Sequence, residues 1–190
     1  MRYGMNRQVV RLSGGQVVRW SGCQVVRSSV KIRRATVADA AAIWKIFQAV
    51  VAPGDTYSFT AETTEREAVA YFLGPGITSF VAEDDGRVIG MYKLIPNRIG
   101  RGSHVSNASF MVDPNAQGRG IGRALGEHCL HEASRQGYDA MQFNFVVSTN
   151  TAGVSLWKKL GFEIVGTLPK AFDHATMGKV DAYVMHRFLR

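Results

Sequence analysis

From residue 30 onward the hydrophobic and polar positions switch repeatedly between a period of two and a period near 3.6, which predicts alternating strands and helices. KIRRA reads as a short strand, and Thr36-x-x-Asp39 caps a helix through AAIWKIFQAVV that stops before Pro53-Gly54. A second capping box, Thr64-x-x-Glu67, opens a helix that ends at Gly74-Pro75-Gly76. ITSFVAE and RVIGMYKLI, joined by a DDG turn, predict a hairpin. SHVSNASFMV predicts a strand ended by Asp113-Pro114, followed by a Gly-rich turn and a helix over residues 120–135. Strand DAMQFNFVV, a helix over 151–160 and strands FEIVGT and DAYVMHRFL complete the chain. Only a mixed α/β class accommodates this order.

The first 29 residues follow neither period. QVVR recurs at Gln8, Gln16 and Gln24, and the repeat stops after three copies. Each copy brings two valines, far too little apolar surface to offset the ordering of some twenty residues, so a solenoid is excluded. The segment holds five arginines and no acid, +5 of the formal +8, whereas residues 30–190 carry 18 basic and 15 acidic side chains. Basicity confined to such a segment does not argue for nucleic acid or membrane partners. No run approaches the ~7 to 15 apolar residues of a signal peptide core. The expectation is therefore a disordered octapeptide-repeat tail over 1–29 and a single domain over 30–190. A start codon assigned too early, ahead of a GTG start at Val30, would also generate such a tail. No apolar run nears the ~18 residues of a membrane span, and Cys23 and Cys129 form no disulfide framework or zinc spacing. No metal is expected, and the expected compartment is the reducing cytoplasm.

The chemistry concentrates in FMVDPNAQGRGIGRALG. Glycines at a strand-to-helix turn let backbone N–H groups face outward, and the helix N-terminus adds partial positive charge, the makings of a phosphate site. The Walker A loop needs Gly-Lys-Ser/Thr, which is missing. A dinucleotide fingerprint fails at Arg123 or at Leu125, depending on the starting glycine. What fits is Q/R-x-x-G-x-G/A, satisfied by Gln117, Gly120 and Gly122, and with it the chain resembles the GNAT superfamily of acetyl-coenzyme A-dependent N-acetyltransferases. Asn150 followed by LWKKLGFEIVG is similar to the superfamily's next helix and strand. The resemblance implies a mostly antiparallel mixed sheet of six or seven strands, two of them splayed at the centre, with helices on both faces. It implies acetyl-coenzyme A as cosubstrate, its pyrophosphate on Gln117, Gly118, Arg119, Gly120, Ile121, Gly122 and Arg123, and its pantetheine arm on backbone groups of Met111 and Val112.

Trp157 stands where many members carry a thiolate-protonating tyrosine, and an indole cannot serve as that acid. By alternation Gln142, Asn144, Val146 and Ser148 share one strand face, with Met141, Phe143, Phe145 and Val147 on the other. Pro96-Asn97, Arg101, Ser103-His104, Asn107-Ala108, Phe143-Asn144, Thr149-Asn150, Trp157 and Leu168-Pro169 together resemble the branch containing the yeast proline-analogue acetyltransferases, which act on azetidine-2-carboxylate. That resemblance implies Asn107 as the catalytic side chain, Asn144 and Asn150 as substrate-binding, and direct transfer to the amine of a small molecule such as a cyclic amino acid. Asp55, Tyr57 and Phe59 are expected lid residues, while Cys129 and His104 are read as structural. A protein or peptide N-acetyltransferase and a non-catalytic acyl-coenzyme A sensor are the alternatives. Monomer and homodimer both remain open.

Overall fold

The computed structural model describes residues 30–190 throughout and, before them, the backbone of three short segments. Val9–Arg11 (β1), Val17–Ser21 (β2) and Gln24–Val25 (β3) pair antiparallel, one strand to each octapeptide copy. The rest of 1–29 lies outside the described residues, and so does the disorder expected there.

Residues 31–190 form a separate unit. Its strands are Lys31–Arg34 (β4), Thr78–Asp84 (β5), Arg87–Pro96 (β6), Val105–Val112 (β7), Ala140–Val147 (β8), Glu163–His174 (β9) and Gly178–Phe188 (β10). They make one seven-stranded sheet in the order β4-β5-β6-β7-β8-β10-β9. Every pairing is antiparallel except β7 with β8, which is parallel and stops after Val105↔Ala140 and Ser106↔Met141. Beyond that point the sheet opens in its middle.

Helices Ala40–Val51 (α1) and Glu65–Leu73 (α2) cover one face. Their Ile43, Ile46, Phe47, Ala68 and Phe72 pack on Val81, Met91 and Met111, the inward set of β5, β6 and β7. Ile121–Arg135 (α3) and Thr151–Lys159 (α4) lie on the other face. Leu125, Cys129 and Ala133 on α3 are fully buried at a spacing of four, so the cysteine packs as a small hydrophobe and burial pushes its thiol up. Two close approaches join α3 to α4: a Cβ on Gly122 would lie 3.4 Å from Leu156, and one on Gly126 would meet Leu160 at 2.6 Å.

Strand β9 runs well past the expected FEIVGT, through Pro169 to His174. It lies at the sheet edge, where a residue without an N–H costs no ladder bond, and Lys170 takes a left-handed φ of 51° directly after the proline. The alternation expected along β8 also breaks. Two residues, Asn144 and Phe145, stand opposite the single Val184 of β10, a bulge that brings Val146 and Val147 in as consecutive buried residues and leaves Phe145 40 % exposed.

One ion-pair hub ties β4, α1 and β5 together. Arg33 bonds both Asp39 oxygens, at 2.7 and 2.9 Å, and Glu83 at 2.8 Å, while Asp39 also accepts from the Thr36 backbone at 2.8 Å. The guanidinium holds the buried Asp39 carboxyl down at about 2, from an ordinary 3.8. A carboxyl depressed in the folded state contributes stability above its unfolded pKa and loses it as pH falls toward the folded value. Asp39→Asn should thus cost about 2 kcal/mol at pH 7 and flatten the acid limb between roughly pH 4 and 2 in urea titrations. An unchanged acid limb would show that the pair contributes nothing.

Candidate active site

Strand β7 ends at Val112, and Asp113 turns the chain, its carboxylate accepting from the Asn115 N–H at 2.9 Å. The loop that follows sets Gly118 at φ 75° and Gly120 at φ 79°, with Gly120 as the N-cap of the fifteen-residue α3. Such angles suit glycine alone. No heavy atom lies within 4 Å of where a Cβ would stand on either residue, so both backbones face open space. Ile121 is buried and anchors the helix start. The two arginines are already engaged, Arg119 with Asp84 at 2.5 Å and Arg123 with Glu127 at 2.8 Å. What the loop presents directly is therefore outward backbone at a helix N-terminus, the chemistry that holds a pyrophosphate. Met111 sends its side chain into the core, and Val112 packs toward Gly122, so those residues offer backbone groups.

Where the β7–β8 ladder stops, a side chain takes over: Asn107 Nδ2 donates to the Gln142 carbonyl at 2.8 Å. Past it lies a cavity of about 330 Å³ between the parting strands, the segment after α1, and α4. Asn107, Asn144 and Asn150 all line it, as three of the residues picked out from the sequence. The amides are strung together. Gln142 Nε2 donates to Asn144 Oδ1 at 2.8 Å, and Asn144 Nδ2 donates to Asn97 Oδ1 at 2.6 Å. Asn150 caps α4 through Oδ1, which accepts from the Gly153 N–H at 2.9 Å, leaving its amide hydrogens for other partners. The residues of the glycine loop do not line this cavity.

Aromatic rings make the walls. Trp157 sits 4.8 Å from Phe110 and 4.8 Å from Phe143, ring centre to ring centre. Tyr57 and Phe59 reach the cavity from the segment after α1, whereas Asp55 does not. That segment is held to the β9–β10 turn by the Ala175 N–H, which donates to the Gly54 carbonyl at 3.0 Å. Tyr57 donates its hydroxyl to the Phe110 carbonyl at 2.7 Å, and burial pushes that phenol well up. It keeps its proton at any working pH.

Three contributors escaped the sequence reading. Tyr71 from α2 and Ser109 from β7 share a hydrogen bond of 2.7 Å and both line the cavity. Behind them lies Lys93, 6 % exposed, its ammonium 3.0 Å from the centre of the Tyr71 ring. A lysine inside the apolar run RVIGMYKLI was the signal available. Among the described residues no histidine lines the cavity. His104 is exposed on the Arg101 carbonyl at 3.1 Å, and His128 bonds the Tyr92 hydroxyl at 2.7 Å on the α3 face. No group of three His, Cys, Asp or Glu among them could hold a metal ion, and no helix among them is long and apolar enough to cross a membrane.

The geometry has counterparts in known proteins. The family model described as the acetyltransferase (GNAT) family matches residues 42–162. N-acetyltransferase aca1 of Schizosaccharomyces pombe is 30% identical over 148 residues, covering 69% of this chain and 71% of that protein. A GCN5-related N-acetyltransferase from Kribbella flavida superposes with a TM-score of 0.80 at 45% identity, over 84% of this chain and 98% of that one. The protein yncA from Salmonella typhimurium, solved with acetyl-CoA, gives 0.76 at 27% identity over 86% and 95% of the two chains. The fold is thus shared along almost the whole domain, and the chain belongs to the GNAT family of acetyltransferases.

Proposed function

We propose that this acetyltransferase moves the acetyl group of acetyl-CoA to the amine of a small molecule, a proline-like cyclic amino acid being the acceptor that best suits the site. The observation that carries this reading is the cavity. It is small for a ligand site, it is walled by Tyr57, Phe59, Tyr71 and Trp157, and it contains amides and hydroxyls but no charged side chain. A basic peptide would find no carboxylate there. A sensor domain would have no use for three amides at the point where the strands part.

In this reading the open backbone at Gly118 and Gly120 and the N-terminus of α3 hold the pyrophosphate, backbone groups at Met111 and Val112 hold the pantetheine arm, and the acyl group lies between β7 and β8. The acceptor nitrogen, neutral when it reacts, attacks the thioester carbonyl carbon. The C–S bond breaks, and the proton lost from nitrogen passes to the sulfur, directly or through water. Cys129 is fully buried on the α3 side of the sheet, so its thiol is not available as an acyl carrier. Asn107 supplies the side-chain donor to the carbonyl oxygen. One of its amide hydrogens is committed to Gln142, which fixes the rotamer, and the second remains to be donated. Asn144 and Asn150 hold the acceptor.

A panel of cyclic amino acids, linear amino acids and short peptides, assayed for thiol release with acetyl-CoA, tests the reading. Turnover is expected with the small cyclic acids and not with peptides. Peptide turnover without small-molecule turnover would reverse the assignment.

A further inference from the structure

We infer that Lys93 selects a carboxylate on the acceptor, which makes the free amino acid, and not a carboxyl-free amine or a peptide N-terminus, the acceptor class. This rests on the small-molecule reading above.

Lys93 lies mid-strand on β6 between Tyr92 and Leu94, both fully buried. Its face of the sheet is set by the ladder, which puts Ser79 of β5 and Ser109 of β7 directly across from it. Tyr71 reaches it from α2. Ser79 is spent on the Phe72 carbonyl at 2.5 Å, and Ser109 on the Tyr71 hydroxyl. Tyr57, beyond Tyr71, is held neutral by burial. Each of these groups is neutral, and among the described residues no carboxylate pairs with the ammonium. Burial alone lowers the ammonium to about 8, so at pH 7 it is still mostly charged.

A buried cation with no counter-ion is costly. Tyr71 and Ser109, which touch or face it, are also walls of the acceptor cavity, so the charge sits one side chain behind the lining. The lining adds only neutral donors and acceptors, with the spare hydrogens of Asn144 and Asn150 among them. In a low-dielectric wall such a charge acts over several ångströms. It favours an anionic group in the cavity and disfavours an ammonium, so one residue both attracts the carboxylate of an amino acid and shifts its amine toward the neutral, attacking form. The acceptor itself then supplies the missing counter-ion.

The test compares azetidine-2-carboxylate with its primary carboxamide at saturating acetyl-CoA, in the wild type, Lys93→Met and Lys93→Gln, with acetyl-CoA Kd by calorimetry as the check of folded protein. The wild type should prefer the acid. Both variants should raise KM for the acid about tenfold or more while leaving KM for the amide within about twofold. A purely structural lysine would shift both substrates alike, and that result, or equal wild-type use of acid and amide, overturns the inference while leaving the small-molecule reading intact. If neither compound is acetylated and an N-terminal peptide is, both fall. Should neither variant fold, the wild-type preference between acid and amide decides alone.

Discussion

Asn107→Ala is expected to lower turnover about 100-fold or more while the KM for acetyl-CoA changes little. The side chain stands where the parallel ladder ends and lines the cavity, and its bond to Gln142 holds one orientation. A donor that strengthens only as charge builds on the carbonyl oxygen affects the rate and not ground-state binding. The same bond braces β7 against β8, so loss of a brace has to be told apart from loss of a donor. Tm measured beside turnover provides the contrast: a lost brace lowers Tm, whereas a lost donor slows the reaction beyond what any loss of folded protein explains. Asn144→Ala should behave differently, raising the acceptor KM with a smaller fall in turnover. If Asn107→Ala turns over normally, or if the Asn107 and Asn144 variants merely lower Tm, the amides are structural and the donor to the oxygen lies in the backbone.

Gly120→Val should weaken acetyl-CoA binding on the order of 100-fold. At φ 79° a β-branched side chain is strained by roughly 1–2 kcal/mol, and this residue is the N-cap of α3, so the strain falls on the N–H groups that would meet the phosphates. No heavy atom beyond the neighbouring residues lies within 4 Å of the added Cβ, so the fold should survive. Gly120→Ala should fall between the two. Calorimetry with acetyl-CoA decides the matter, and unchanged affinity for the valine variant would remove the loop from the pyrophosphate site. Gly122→Val would be a poor substitute. Its Cβ would press toward Leu156, mixing helix packing with ligand contact.

Local signals carried far in this chain. Thr64 and Glu67 form the reciprocal cap their spacing predicts, and Asp85-Gly86 turn the β5–β6 hairpin with φ of 48° and 76°. The three asparagines noticed on separate stretches do line one cavity. What escaped depended on partners distant in sequence. Nothing near Arg119 marks it as engaged, because Asp84 meets it only once the β5–β6 turn folds beside it, whereas Arg123 has its partner Glu127 four residues on in the same helix. The bulge at Asn144 and Phe145 is imposed by pairing with β10, so periodicity within β8 alone could not reveal it. Lys93 reads as an exposed break in an apolar strand until both of its neighbouring strands and α2 are in place.

The long edge strand β9 has a consequence for how this molecule behaves among its copies. Twelve residues of edge strand would present a continuous row of unpaired N–H and C=O groups, a template on which a second chain could add. Pro169 removes one donor from the middle of that row, and the left-handed Lys170 turns the backbone and adds a charge at the same place. The row is thereby broken into two shorter pieces. At the opposite edge β4 is only four residues long and carries Lys31, Arg33 and Arg34. Sheet growth is thus discouraged at both ends by different means, and the protein can keep an open, unpaired centre for its ligands without inviting self-association along its rims.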